Sequence, residues 1–138
     1  MVRSIVIAAV LAVGTVAPAM AQDAAGGDPA AGEKDFVVCR ACHQIGPTAK
    51  NAVGPVLNGV IGRKAGTYPG YEYSAANKNS GITWTPEELQ PYLANPQAVV
   101  KGTKMVFPGF HGADADKKIK DVIAYLQQFG PDGQKKGS

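Results

Sequence analysis

Cysteine is scarce in this chain: there are two among 138 residues, Cys39 and Cys42. A single pair so close together asks for an explanation of its own. An excess of charge of one sign is also missing. Fourteen Lys and Arg face 11 Asp and Glu, a formal +3, which leaves no footprint for nucleic acid. After the N-terminus no apolar run approaches the roughly 20 residues that span a bilayer. Strand-rich patterning and internal repeats are absent as well. What is plentiful is turn sequence, with 17 Gly and 10 Pro in a chain that is 45% hydrophobic. Length and composition describe one globular domain with many turns.

The N-terminus does not read as part of that domain. Met1-Val2-Arg3 gives a short positive start, Ser4 to Val16 is apolar and uncharged, and Ala19-Met20-Ala21 offers small residues at both positions a signal peptidase reads. Residues 1–21 are expected to be a cleaved export signal rather than an uncleaved anchor, leaving 22–138 as a single exported domain. Arg3 is the only charge removed, so the remainder stays weakly basic.

Helix signals mark the domain. Asp28-Pro29 reads as an N-cap with Pro in the first turn, with Phe36 and Val37 near that helix's end. Gln44 to Tyr73 is Gly/Pro-rich loop. So long a loop fits a compact domain if it wraps a large apolar ligand. Ser74 to Ser80 suits a short helix stopped by Gly81. Thr85-Pro86-Glu87-Glu88 is a capping box, opening a helix that ends before Asn95-Pro96. That pair caps another short helix, stopped by Gly102. The last helix starts near Asp114 or Asp116, carries Ile119, Val122, Ile123 and Leu126 on one stripe, and ends at Phe129-Gly130-Pro131. Gln134 to Ser138 reads as a frayed basic tail.

The chemistry lies in Cys39-Arg40-Ala41-Cys42-His43, the Cys-x-x-Cys-His signature of covalent haem attachment. Two thiols at this spacing can each add to one vinyl group of a haem, and the next residue, His43, is then held where its imidazole can bind the iron. A thioredoxin-like pair would follow a strand in a βαβ unit, which is not seen. A zinc site would have only Cys39, Cys42, His43 and His111 to draw on, with Cys42 and His43 adjacent. A plain disulfide leaves the His unexplained. An open sixth iron position would suit oxygen or peroxide, as in a gas sensor or small peroxidase, whereas a filled one suits electron transfer. Beyond residue 21 the only methionine is Met105, in a loop between two helices. Its soft thioether favours Fe(II). His111 is a rival ligand, in what reads as an exposed turn.

Taken together, Cys39–His43, Val53-Gly54-Pro55, Gly62-Arg63-Lys64, Gly70-Tyr71-Glu72-Tyr73-Ser74, Ala76-Asn77-Lys78-Asn79, Gly81-Ile82-Thr83-Trp84, Gly102-Thr103-Lys104-Met105 and Ala124-Tyr125-Leu126 resemble class I cytochromes c. The resemblance spans nearly all of Gly32 to Phe129 and is nearest to the bacterial cytochrome c2 group. It implies an all-α cytochrome c fold, with terminal helices packed together and short helices and long loops wrapping one haem c. It implies His43 and Met105 as iron ligands and the Pro55 carbonyl as acceptor for the other ring N–H of His43. It also implies Tyr73 and Trp84 as donors to a haem propionate with Arg63 as nearby counter-charge. Asn77, Tyr92 and Thr103 fall around the Met sulfur, and Phe107 over the haem edge. The segment between Phe107 and Ala124 is a few residues longer than in mitochondrial relatives, and the segment after His43 carries fewer lysines.

The implied function is a monomeric one-electron carrier, not an enzyme. It would run from a quinol-oxidising bc1-type complex to a photosynthetic reaction centre or terminal oxidase. Lys50, Lys101, Lys104, Lys117 and Lys118 are candidates for steering such partners, although Lys117, Lys118 and Lys120 also suit the solvated face of a helix. Cleavage after Ala21 gives a periplasmic protein whose mass starts at Gln22; a mass that includes residues 1–21 would mark a membrane-tethered form instead.

Overall fold

The computed structural model describes residues 26–137, so the proposed export signal lies outside the described residues. Among the described residues five helices carry the fold: α1 Pro29–Asp35, α2 Ala75–Lys78, α3 Pro86–Ala94, α4 Pro96–Val99 and α5 Ala115–Gln127. A single 3-10 turn, Phe36–Val38, extends α1. Among the described residues there is no strand, only isolated bridges pairing Lys64 with Thr83 and Phe129 with Lys135. No described helix is long and apolar enough to cross a membrane.

Each start follows from its cap. Asp28 accepts from the N–H groups of Ala30 and Ala31 ahead of Pro29, Ser74 accepts from Asn77, and Asn95 accepts from Ala98. Thr85 accepts from the Glu88 N–H, but its own N–H bonds to the Thr83 carbonyl, so only half of the expected capping box forms. Asp114 makes no cap bond; its carboxylate pairs with Lys118 one turn on.

The terminal helices α1 and α5 cross at close quarters. Gly32 makes this possible, because a Cβ there would lie 1.8 Å from the Asp121 carbonyl oxygen. The crossing is tied by Asp121, whose side chain is 4% exposed. One carboxylate oxygen accepts the Asp28 N–H at 2.8 Å and the other pairs with Lys117. The apolar stripe of α5 divides in use. Ile123 is fully buried and Ile119 nearly so, whereas Val122 and Leu126 also line the central cavity. Burying such a side chain contributes about 2 kcal/mol. Phe36, Tyr125 and Phe129 extend the same packing, with ring centroids 5.2 Å apart in each successive pair.

The basic tail is docked rather than frayed. The Lys136 N–H reaches the Gln128 carbonyl at 2.7 Å, and the Gly130 N–H reaches that of Gln134 at 3.0 Å. Composition suggested fraying; the backbone bonds of a reverse turn at Pro131–Gly133 override it.

Burial raises the Asp121 pKa, but the Asp28 N–H and the Lys117 ammonium outweigh that and hold it below the ordinary carboxylate value. A depressed folded-state pKa adds stability that is present above the unfolded value and lost as pH falls through the folded one. Asp121→Ala should therefore lower stability by about 2 kcal/mol near neutral pH. The gap between variant and parent should narrow in acid, as read by denaturant unfolding at a series of pH values.

Candidate haem site

After the 3-10 turn, the N–H groups of Cys42 and His43 both return to the Cys39 carbonyl, at 3.1 and 2.9 Å. This winds Cys39–His43 into one tight turn and brings both sulfurs and the imidazole to a shared cavity. The cysteines are free, not bonded to each other. Burial, and then the neighbouring Cys42, push the Cys39 thiol up to about 11, so it stays protonated at neutral pH.

His43 Nδ1 lies 2.7 Å from the Pro55 carbonyl oxygen. A carbonyl can only accept, so Nδ1 carries the proton and the Nε2 lone pair is left for a metal. Burial lowers the imidazole's pKa; the Pro55 bond opposes this and the Arg63 cation adds to it. The net effect keeps the ring neutral, the form that ligates. The ring lies against Gly54, where a Cβ would come within 2.5 Å of Cε1.

Met105 reaches the same cavity from the loop after α4. The Thr103 hydroxyl accepts the Met105 N–H at 3.2 Å, and the Tyr92 hydroxyl, carried on α3, donates to Met105 Sδ at 3.3 Å. Burial raises the Tyr92 pKa and the adjacent Thr103 hydroxyl partly offsets it, which leaves Tyr92 a neutral donor. Its ring packs on Trp84, centroids 4.5 Å apart.

The cavity holds about 1150 Å³, its open mouth included. Phe36, Val60, Leu89, Leu93, Val122 and Leu126 give it apolar walls. A polar group interrupts them. Arg63 donates to the Asn58 and Val56 carbonyls at 2.9 and 3.1 Å and stacks over Tyr68 at 4.9 Å. Among the described residues no carboxylate pairs with it. The Tyr73 hydroxyl accepts the Tyr68 N–H at 3.2 Å. Asn77 Oδ1, also in the wall, is buried without a partner. A large flat apolar group with anionic substituents fits this lining: apolar walls for the ring, an unpaired guanidinium for a carboxylate, thiols and an imidazole at one side.

Every expected site residue borders this one cavity: Cys39, Cys42, His43, Pro55, Arg63, Tyr73, Asn77, Trp84, Tyr92, Thr103, Met105 and Phe107. His111 does not. It is exposed, its Nε2 bonded to the Pro108 carbonyl at 2.9 Å. Sequence reasoning missed the part Gly54 plays, although Val53-Gly54-Pro55 was singled out. It also missed the exposed apolar rim of Val38, Val53 and Val106, since isolated valines in loops carry no periodic signal.

Covalent haem accounts for two free thiols and a neutral imidazole sharing one cavity, and this places the chain among c-type cytochromes. No protein-family model matches it. It is 51% identical to cytochrome c2 of Blastochloris viridis, over 97% of this chain and 99% of that one. It is 53% identical to cytochrome c-554 of Methylosinus trichosporium, over 83% and 85%. The solved structure of cytochrome c2 from Rhodospirillum centenum superposes with a TM-score of 0.69 at 48% identity, covering 76% of this chain and all of that one. The chain belongs to the class I cytochromes c, in the cytochrome c2 group. It is an electron-transfer protein, not an enzyme, and its cofactor is haem c attached through Cys39 and Cys42.

Gly54→Ala should displace the His43 ring and reduce the fraction of protein that carries haem. The readout is haem absorbance per polypeptide, with the far-ultraviolet helical signal as the folding control.

Proposed function

We propose that the protein is a periplasmic one-electron carrier, released by removal of residues 1–21, in which His43 and Met105 hold the haem iron in both oxidation states. The carrying observation is that a neutral imidazole with its Nε2 free and a thioether held by Tyr92 border one apolar cavity. Bound haem supplies a reversible Fe(III)/Fe(II) couple. The chain supplies the rest. The Pro55 carbonyl fixes the His43 tautomer and strengthens it as a ligand. Tyr92 and Thr103 fix the thioether, so little has to move between states. The apolar walls lower the local dielectric and disfavour added positive charge, as the thioether does, which raises the potential. Arg63, with Tyr73 and Trp84, would hold the carboxylate substituents of the haem, and Phe107 would shield it from water.

Partners dock transiently, the donor a quinol-oxidising bc1-type complex and the acceptor a reaction centre or terminal oxidase. Of the candidate steering lysines, Lys117 and Lys118 of α5 pair with Asp121 and with Asp114 just before the helix. Lys104 borders the cavity, donates to a neutral carbonyl, that of Glu72, and lies 5.9 Å from the neutral Tyr71 ring, with no carboxylate partner among the described residues. Lys104, with the exposed Lys50 and Lys101, is the better source of uncompensated charge.

Met105→Ala should keep its covalent haem and lose the sulfur-to-iron charge-transfer band of the oxidised protein, and once reduced it should bind carbon monoxide rapidly. A wild-type protein that itself binds carbon monoxide rapidly would make it a ligand-binding haem protein instead. The association rate with an acidic-faced redox partner should fall as salt rises over the physiological range; a salt-independent rate would remove the lysines from docking.

A further inference from the structure

Gln97, the second residue of α4, is exposed and sits outside every motif that defines the site. Its side-chain amide nitrogen nevertheless bonds twice to the backbone of the Met105 loop: to the Thr103 carbonyl at 3.0 Å and the Met105 carbonyl at 3.3 Å. Both partners are acceptors, so only the NH2 end of the amide can serve, and it spends both protons on this loop. The two carbonyls flank Lys104 and bracket the segment that delivers the thioether.

Within the loop the Met105 N–H bonds to the Thr103 hydroxyl, and the Lys104 ammonium reaches the Glu72 carbonyl at 2.6 Å through a long flexible side chain. Upstream the Thr103 N–H bonds to the Val100 carbonyl at 3.0 Å. Downstream the Phe110 N–H bonds to the Leu93 carbonyl at 2.9 Å, and Gly109 presses on the Ala94 carbonyl. Between these anchors Val106 is 85% exposed, and residues 103–108 belong to no helix. The Tyr92 bond holds the sulfur, but it does not fix the backbone on which the sulfur is carried.

We propose that Gln97 is a positioning residue for the Met105 side of the haem: its amide clamps the Thr103 and Met105 carbonyls and so keeps the thioether in place against competing ligands. The proposal rests on the reading of Met105 as an iron ligand, and two readouts separate the two ideas. Methionine at 97 keeps length and flexibility but has no donor. Glutamate is nearly isosteric but turns an oxygen toward two carbonyl oxygens. Lysine restores donors.

The experiment uses the haem-loaded protein. Amide hydrogen exchange at Thr103 and Met105, whose N–H groups bond to the Val100 carbonyl and the Thr103 hydroxyl, reads how often the clamped loop opens, and binding of external imidazole to the oxidised protein reads the thioether's hold. In Gln97→Met and Gln97→Glu, exchange at both amides should speed up and imidazole should bind about fivefold or more tightly, the scale set by losing one to two partly exposed hydrogen bonds. Gln97→Lys should stay within about twofold of the parent on both. Unchanged exchange in Gln97→Met and Gln97→Glu overturns the clamp. Faster exchange with unchanged imidazole binding overturns its role toward the thioether. A parent protein without the sulfur-to-iron band defeats the Met105 reading and, with it, the thioether role, while exchange still decides whether the clamp exists.

Discussion

The 2.7 Å bond between His43 Nδ1 and the Pro55 carbonyl is the contact from which the rest of the site is arranged. It decides which ring nitrogen carries the proton, and therefore which one faces the cavity as a ligand. It can form only because Gly54 leaves room beside the ring, and because the Cys39–His43 turn delivers the ring from one side while the 44–58 loop delivers the carbonyl from the other. The loop is pinned in turn: the buried Asn58 side chain bonds to both the N–H and the carbonyl of Gly46. A Gly/Pro-rich stretch with no ladder of its own thus becomes rigid through side-chain bonds to its backbone.

The helices serve this arrangement as a frame. α1 and α5 lie as close as Gly32 allows, and Asp121 ties the first turn of α1 to the interior of α5. That crossing aims the chain leaving α1 so that the haem-binding turn opens onto Val122 and Leu126 of α5 and Leu89 and Leu93 of α3. α3 contributes twice, with leucines for the apolar wall and Tyr92 for the thioether. The two sides of the site are therefore built differently. His43 is fixed by covalent neighbours and a short bond to backbone, whereas Met105 is fixed by side-chain donors acting on an exposed loop. Ligand exchange, where it occurs in such a protein, is expected on the weaker side.

Charge is distributed to suit this division. Lys117 and Lys118 on α5 are answered by acids one turn away, and they belong to the solvated helix face. Lys104 bonds to a backbone oxygen and lies 5.9 Å from the Tyr71 ring centroid, with no carboxylate partner among the described residues, and it stands at the cavity rim with exposed Val53 and Val106. A rim that is part apolar and part uncompensated cation suits brief encounters, with the cation assisting approach and the small apolar contact permitting release.

The attachment motif, the single methionine beyond residue 21 and the helix caps were legible in the sequence, because each depends on neighbours within a few residues. Asp28, Ser74, Thr85 and Asn95 act on backbone N–H groups two or three positions away, and Cys39, Cys42 and His43 share one turn. Only the tertiary structure decided the matters that join distant segments: that Gly54 makes room for the His43 ring, that Asp121 reaches the Asp28 N–H, that the basic tail folds back on Gln128, and that Gln97 holds the Met105 loop. Such contacts depend on where two backbones come to lie after the core has packed. No spacing or periodicity along one segment encodes that position.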